Sequence, residues 1–252
     1  MNVLGVGVDP VSVAELHARI LGFVREGRHA LILHANAHGL NLSYRDPELR
    51  SFFDAASLVF CDGAGVLLAA RILGERLPER ITYADWAWQL ASFAEREDLS
   101  LFFLGARPGV AERGASELRA RYPNLKIAGV HHGYFDRTAG APENEAVLEE
   151  INAASPDVLL IGFGMPLQER WLMQNWERID ARVTLTGGAV FDYVSGELRR
   201  GPRILTDNGF EWLARLLIEP GRLWQRYVVG NPLFFSRVLK QRLKREVARA
   251  RR

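Results

Sequence analysis

Residues 157–173 read DVLLIGFGMPLQERWLM, and this stretch decides the fold. Residues 157–162 form an apolar run that is too short for a helix and suits a strand buried on both faces. Gly162 and Gly164 then mark a turn. From 166 to 178 the pattern becomes amphipathic with helical spacing. A buried strand that feeds through glycines into a helix is the unit of a parallel sheet with helical crossovers. The unit recurs outward in both directions. Further strands are predicted at 3–8, 30–34, 57–61, 100–104, 125–130 and 183–187. Helices are predicted near 12–26, 46–55, 63–74, 84–98, 108–121 and 142–154. Ser12 with Glu15 has the form of a capping box, and Asp46-Pro47 of an N-cap followed by a first-turn proline. The fold class is therefore α/β, with a mostly parallel sheet and helices on both faces.

The chain has 252 residues, 48% of them hydrophobic and 25% charged. That suits one large α/β domain, alone or with an appendage, and excludes disorder across the body. Composition shifts near Gly201-Pro202. The expected division is an α/β catalytic domain over 1–202 and a helical appendage over 203–252. The appendage reads as helices near 203–217, 219–228 and 232–251, broken at Pro220 and at Gly230-Asn231-Pro232. It holds twelve Lys/Arg against four Asp/Glu, so it carries +8 of a chain whose total is +2, and the body carries −6. Such asymmetry points to a polyanionic partner. Aromatic and aliphatic residues from Phe210 to Leu239 are interleaved with arginines, the composition of an interfacial helix on an anionic membrane surface. The plainer alternative is a helical hairpin packed on the body with a solvated basic end. Nucleic acid is not expected, because nothing presents aromatics as a base-stacking platform.

One cysteine, Cys61, excludes a disulfide framework within one chain and suits the cytoplasm. The N-terminal residues lack the basic and apolar regions of a signal peptide. No uncharged apolar run reaches the roughly 18 residues needed to span a bilayer. The expectation is a chain that lies on a membrane without crossing it.

In a sheet of this type, ligands bind beyond the carboxyl ends of the strands. The residues there include His34, Asn36 and His38; Asp62, Gly63 and Gly65; Gly105; His131, His132 and Tyr134; Gly162 to Glu169; and Gly187, Gly188 and Asp192. Glycine turns leading into helices suit phosphates, since the backbone can approach and free N–H groups favour anions. They match neither a P-loop nor a dinucleotide fingerprint. No Asp-x-Asp pair occurs, so backbone amides and arginines are expected to hold a diphosphate without metal. Asp62 follows a buried strand and reads equally well as a general base or as the cap of the next helix. Asp85 and Asp192 read as helix-cap or turn residues. His34 and His38 at a strand end are expected to make polar contacts and not to bind metal. His131 and His132 are expected to diverge on an extended chain.

Taken together, these motifs resemble the WecG/TagA/CpsF family of bacterial glycosyltransferases over essentially the whole chain. The matching residues include Asn36, the run Leu58–Val66, Pro78-Glu79-Arg80 with Asp85, Leu104-Gly105, His132–Phe135 and Gly162–Glu169. They continue with Gly187-Gly188 and Phe191-Asp192, Arg200-Gly201-Pro202, Gly209–Leu216, Glu219–Trp224 and Arg226-Tyr227. The resemblance implies a Rossmann-like body with a helical C-terminal appendage. It implies inverting transfer of N-acetylmannosamine, its uronic acid or glucose from a UDP-sugar to a polyprenyl-diphosphate-linked saccharide, at the cytoplasmic face of the plasma membrane and without a cofactor. Asp62 falls on the family's proposed catalytic aspartate, with Asn36 and His34 beside it. The UDP-sugar would meet Gly105, Tyr134, Gly162, Pro166, Gln168, Gly187, Gly188 and Asp192. Arg80, Arg215, Arg222 and Arg226 would serve the diphosphate or the acceptor. The resemblance also allows a homodimer. His34 stands where relatives commonly have Thr, and Gln225 where they often have a basic residue. Two other classes remain: a nucleotide-binding oxidoreductase or epimerase, which lacks its NAD fingerprint and active pair here, and a non-catalytic membrane scaffold, which leaves the glycine turns unexplained.

Overall fold

The computed structural model describes residues 1–206 and 208–250, without the side chains of Arg249 and Ala250. Of the C-terminal charges, Asp207, Arg251, Arg252 and the Arg249 side chain lie outside the described residues.

The chain opens with a hairpin, β1 (Asn2–Val3) and β2 (Val6–Gly7), and continues through α1 (Val13–Arg25), β3 (Ala30–Ala35), α2 (Ala37–Ser43), α3 (Pro47–Ala55), β4 (Leu58–Cys61) and α4 (Ala64–Ile72). Then come α5 (Tyr83–Arg96), β5 (Ser100–Gly105), α6 (Val110–Arg121), β6 (Lys126–His131), α7 (Pro142–Ala154), β7 (Val158–Gly162), α8 (Leu167–Asn175), β8 (Val183–Thr186) and α9 (Val190–Val194). The C-terminal residues form α10 (Arg203–Thr206), α11 (Glu211–Ile218), α12 (Pro220–Trp224), a π-helical turn over Gln225–Val229, and α13 (Gly230–Ala250).

Six strands make one sheet in the order β4-β3-β8-β7-β5-β6. The pairings of β3 with β8, β8 with β7, β7 with β5, and β5 with β6 are parallel. Every residue of β3, β4, β7 and β8 is buried, whereas β6 at the edge is only partly covered. Burial on both faces is why the central strands read as continuous apolar runs. The expected α/β fold, with a mostly parallel, Rossmann-like sheet and helices, is present.

Two expectations need correction. The strand foreseen at 3–8 is the separate antiparallel hairpin, because Leu4 and Gly5 both adopt positive φ and turn the chain back. The break foreseen at Gly230-Asn231-Pro232 does not occur. Pro232 lacks an N–H and its ring presses on the carbonyl four residues back. That carbonyl belongs to Val228, inside the wider π turn, where Gly230 N–H reaches Gln225 O. The turn thus lets the helical path continue through the proline.

By contact density the residues fall into two units: Met1–Ser12, His34–Thr82 and Arg200–Arg252 in the first, Val13–Leu33 and Tyr83–Arg199 in the second. In the first, α13 packs on α2 and α4 through fully buried Phe234 and Val238. Hydrogen bonds fasten it: Asn41 Nδ2 donates to Gly230 O at 2.8 Å, Arg237 Nη1 to Asn41 Oδ1 at 2.8 Å, and Leu4 N–H to Gln241 Oε1 at 2.9 Å. In the second, Trp86, Phe102, Phe103 and Phe191 fill the core.

Candidate active site

The first unit holds a cavity of about 830 Å³. Asp62 follows β4, and its backbone N–H donates to Ala35 O at 3.0 Å, which fixes it at the strand end. The helix behind it is capped by Gly63 without any side-chain cap bond. Asp62 is therefore not the cap, and its carboxylate lines the cavity. His34 is buried, with Nε2 4.0 Å from Asp62 Oδ2. It stands behind the carboxylate and is not among the lining residues. Asn36 lines the cavity while its Oδ1 accepts from Gly39 N–H at 3.0 Å as the N-cap of α2. Its carbonyl oxygen is thus engaged in folding, which leaves the amide nitrogen as the group suited to a ligand.

Four arginines, Arg71, Arg80, Arg215 and Arg226, face the cavity against two carboxylates, Asp62 and Glu211. The excess positive charge suits a diphosphate. Arg226 sits on the π turn, where it is half-buried and its Nε has no hydrogen-bond partner. Burial lowers its pKa, Arg215 and Arg222 add to that, and Tyr227 and Asp62 oppose it. An arginine remains charged all the same, so burial leaves it under-compensated and ready for an anion. His38, also on the lining, has its pKa lowered to about 4 by burial and then by Arg226, which makes it neutral near pH 7. A neutral His38 offers one donor and one acceptor.

Glu211 was not foreseen as a site residue, although it lies within the motif Gly209–Leu216. Burial raises its carboxyl pKa, Asp62 adds to the rise, and Arg80, Arg200 and Arg215 oppose it. Trp212, Tyr227 and Asn231 also line the cavity without having been foreseen. Arg71 had no sequence signal, because it ends an otherwise ordinary amphipathic helix. Leu67, Leu68, Phe210, Trp212 and Phe235 make the remaining wall apolar. Arg222 does not line the cavity; its side chain is 61% exposed and pairs with Glu219 at 2.5 Å.

The glycine turns lie in the second unit. Gly105 is forced: a Cβ there would stand 2.5 Å from Gly162 O. Gly164 and Gly188 adopt positive φ. Their N–H groups, which suited a phosphate, instead donate to one atom, Gln168 Oε1, at 3.2 and 3.1 Å. Gln168 is fully buried, and its Nε2 donates to Glu169 Oε1 at 2.8 Å. All of these polar atoms are committed to protein, so Gln168 shapes the two turns and does not face a ligand. Pro166 and Gly187 flank the same two turns, and Asp192 lies in the first turn of α9. Tyr134 is 67% exposed on the loop after β6. His131 and His132 do not diverge: their ring centroids are 4.6 Å apart, because His131 Nδ1 meets His132 O at 2.8 Å and draws the rings together.

The family model for the glycosyl transferase WecG/TagA/CpsF family matches residues 1–248. Among curated proteins, the chain is 28% identical over 255 residues to a protein of Staphylococcus aureus strain MRSA252, covering 100% of this chain and 96% of the relative. The same identity and coverage hold for the counterpart in strain NCTC 8325 / PS 47. Both relatives are described as N-acetylglucosaminyldiphosphoundecaprenol N-acetyl-beta-D-mannosaminyltransferase.

Proposed function

Because this chain belongs to the WecG/TagA/CpsF family of glycosyltransferases, we propose that it transfers an N-acetylmannosamine-type sugar from a UDP-sugar to a polyprenyl-diphosphate-linked N-acetylglucosamine. The observation that carries this is the cavity in which a strand-end carboxylate, Asp62, faces Arg80, Arg215 and Arg226. Asp62 takes the proton from the acceptor hydroxyl. The freed oxygen attacks the anomeric carbon on the face opposite UDP, the glycosidic bond forms as the carbon–phosphate oxygen bond breaks, and the configuration inverts. Arginine charge supports the diphosphate, where an electrostatic contribution is largest as charge develops. The apolar wall of Leu67, Leu68 and Phe235 suits the first carbons of a prenyl chain.

The appendage supports a peripheral position on the inner leaflet. No helix among the described residues is long and apolar enough to cross a membrane. The face of α13 away from Phe234 and Val238 exposes Leu239, Leu243 and Val247 at helical spacing, with Lys240 and Lys244 beside them. Trp224, Val228 and Val229 extend the exposed apolar surface. Packing on the body and contact with an anionic leaflet thus use opposite faces of one helix.

A panel of UDP-sugars with a short-chain lipid-diphosphate N-acetylglucosamine acceptor tests the assignment. Acceptor-dependent UDP release, fastest with UDP-N-acetylmannosamine, is the expected outcome. No acceptor-dependent release from any UDP-sugar would exclude it.

A further inference from the structure

Arg80 makes two contacts with the C-terminal segment. Its Nη2 donates to Thr206 O at 3.1 Å, and its Nη1 lies 3.6 Å from Glu211 Oε2. Both side chains are largely buried, 16% and 17% exposed, so solvent screens the pair little. Thr206 ends α10 and Glu211 begins α11, so one guanidinium spans the junction between the two helices. Arg215 follows Glu211 by four residues and shares its helix face. Glu211 and Arg215 both line the Asp62 cavity.

We propose that Arg80 and Glu211 form a clasp that aims Arg215 at the reacting diphosphate, so that both are positioning residues for transfer. This rests on the transferase assignment above. Two of the Arg80 nitrogens, Nη2 and Nη1, meet protein acceptors, while its side chain also lines the cavity. A rigid bidentate guanidinium suits that task, where a lysine ammonium would make a point contact.

Several charged groups surround Glu211. The charged groups facing it are Asp62 beyond β4, Arg80 ahead of α5, Arg200 ahead of α10, and Arg215 on its own helix. Their balance, with burial, raises its pKa. An acid raised on folding adds stability below its unfolded range, and that contribution is lost as pH rises through the raised value.

The test is a double-mutant cycle with Glu211→Gln, Arg80→Gln and the pair, read by UDP release with the acceptor, by thermal midpoint and by amide hydrogen exchange over residues 203–218. Each single variant is expected to lose on the order of 10-fold or more in kcat, with little change in acceptor KM, because misplacement of a charge that acts in the transition state costs turnover. The double variant is expected to lose no more than the worse single one. In Glu211→Gln, exchange over 203–218 should quicken. Wild-type kcat in Glu211→Gln, losses that multiply in the double variant, or unchanged exchange would each overturn the clasp. If the wild type releases no UDP, transfer itself is excluded, and the exchange data still decide whether the clasp exists.

Discussion

Replacing Gln168 with methionine keeps the side-chain length and volume but removes every polar atom. Three hydrogen bonds are lost: those from Gly164 and Gly188 N–H, and the one to Glu169 Oε1. Each backbone N–H left without a partner costs about 1–3 kcal/mol. Gly164 and Gly188 are themselves half-buried, so water reaches them in part and the low end applies. The sum is about 3 kcal/mol, a large fraction of the roughly 5–15 kcal/mol by which domains are stable. In a chain of this size that corresponds to a fall of roughly 6–12 °C in thermal midpoint. The two positive-φ turns also lose their common fastener. Circular dichroism melting measures the fall. Gln168→Glu keeps an acceptor but sets a second carboxyl beside buried Glu169, and it should melt lower still. A methionine variant that melts within 2 °C of wild type would refute the fastening role.

Asp62→Asn should cut kcat by about 10²-fold or more without lowering the thermal midpoint; near-normal turnover with the lipid-diphosphate acceptor would remove Asp62 as the base. His17 and His38 both have pKa values lowered to about 4 by burial, with Arg96 and Arg226 adding respectively. The unfolded chain then binds protons more readily than the folded one as pH falls below about 6.5, so stability should drop between about pH 6.5 and 4. Melting curves of wild type and of His17→Gln across that window check this, and a flat profile for the wild type would contradict it. Leu243→Glu with Val247→Glu should weaken sedimentation with anionic vesicles, since each added acid sits where a nearby basic residue contributes about 1 kcal/mol. Equal binding by the variant and by wild type would mean that this face of α13 is not the anchor.

Much of this molecule was legible locally. The apolar runs at 30–34, 57–61, 100–104 and 157–162 are strands, because a strand buried on both faces leaves an uninterrupted signature. Asp46-Pro47 opens α3 as expected, with Asp46 Oδ1 accepting from Leu49 N–H at 3.1 Å. Even the family was readable, since many ordered short motifs survive in one dimension, and the family match over 1–248 agrees.

What local sequence left open, packing decided. Asp62 read equally as cap or base until the backbone showed Gly63 in the capping position. Gln168 read as a ligand contact, yet burial sent its amide to two glycines that are 4 and 20 residues away in the chain. Glu211 drew no notice, because a first-turn glutamate is ordinary until Arg80, more than a hundred residues earlier, is brought beside it. Pro232 looked like a break because its ring clash is a local rule, whereas the π turn that relieves it depends on how the preceding helix is seated. Period and composition record which faces are buried. They cannot record which distant partner meets a polar atom, and that partner sets its charge, its orientation and its role.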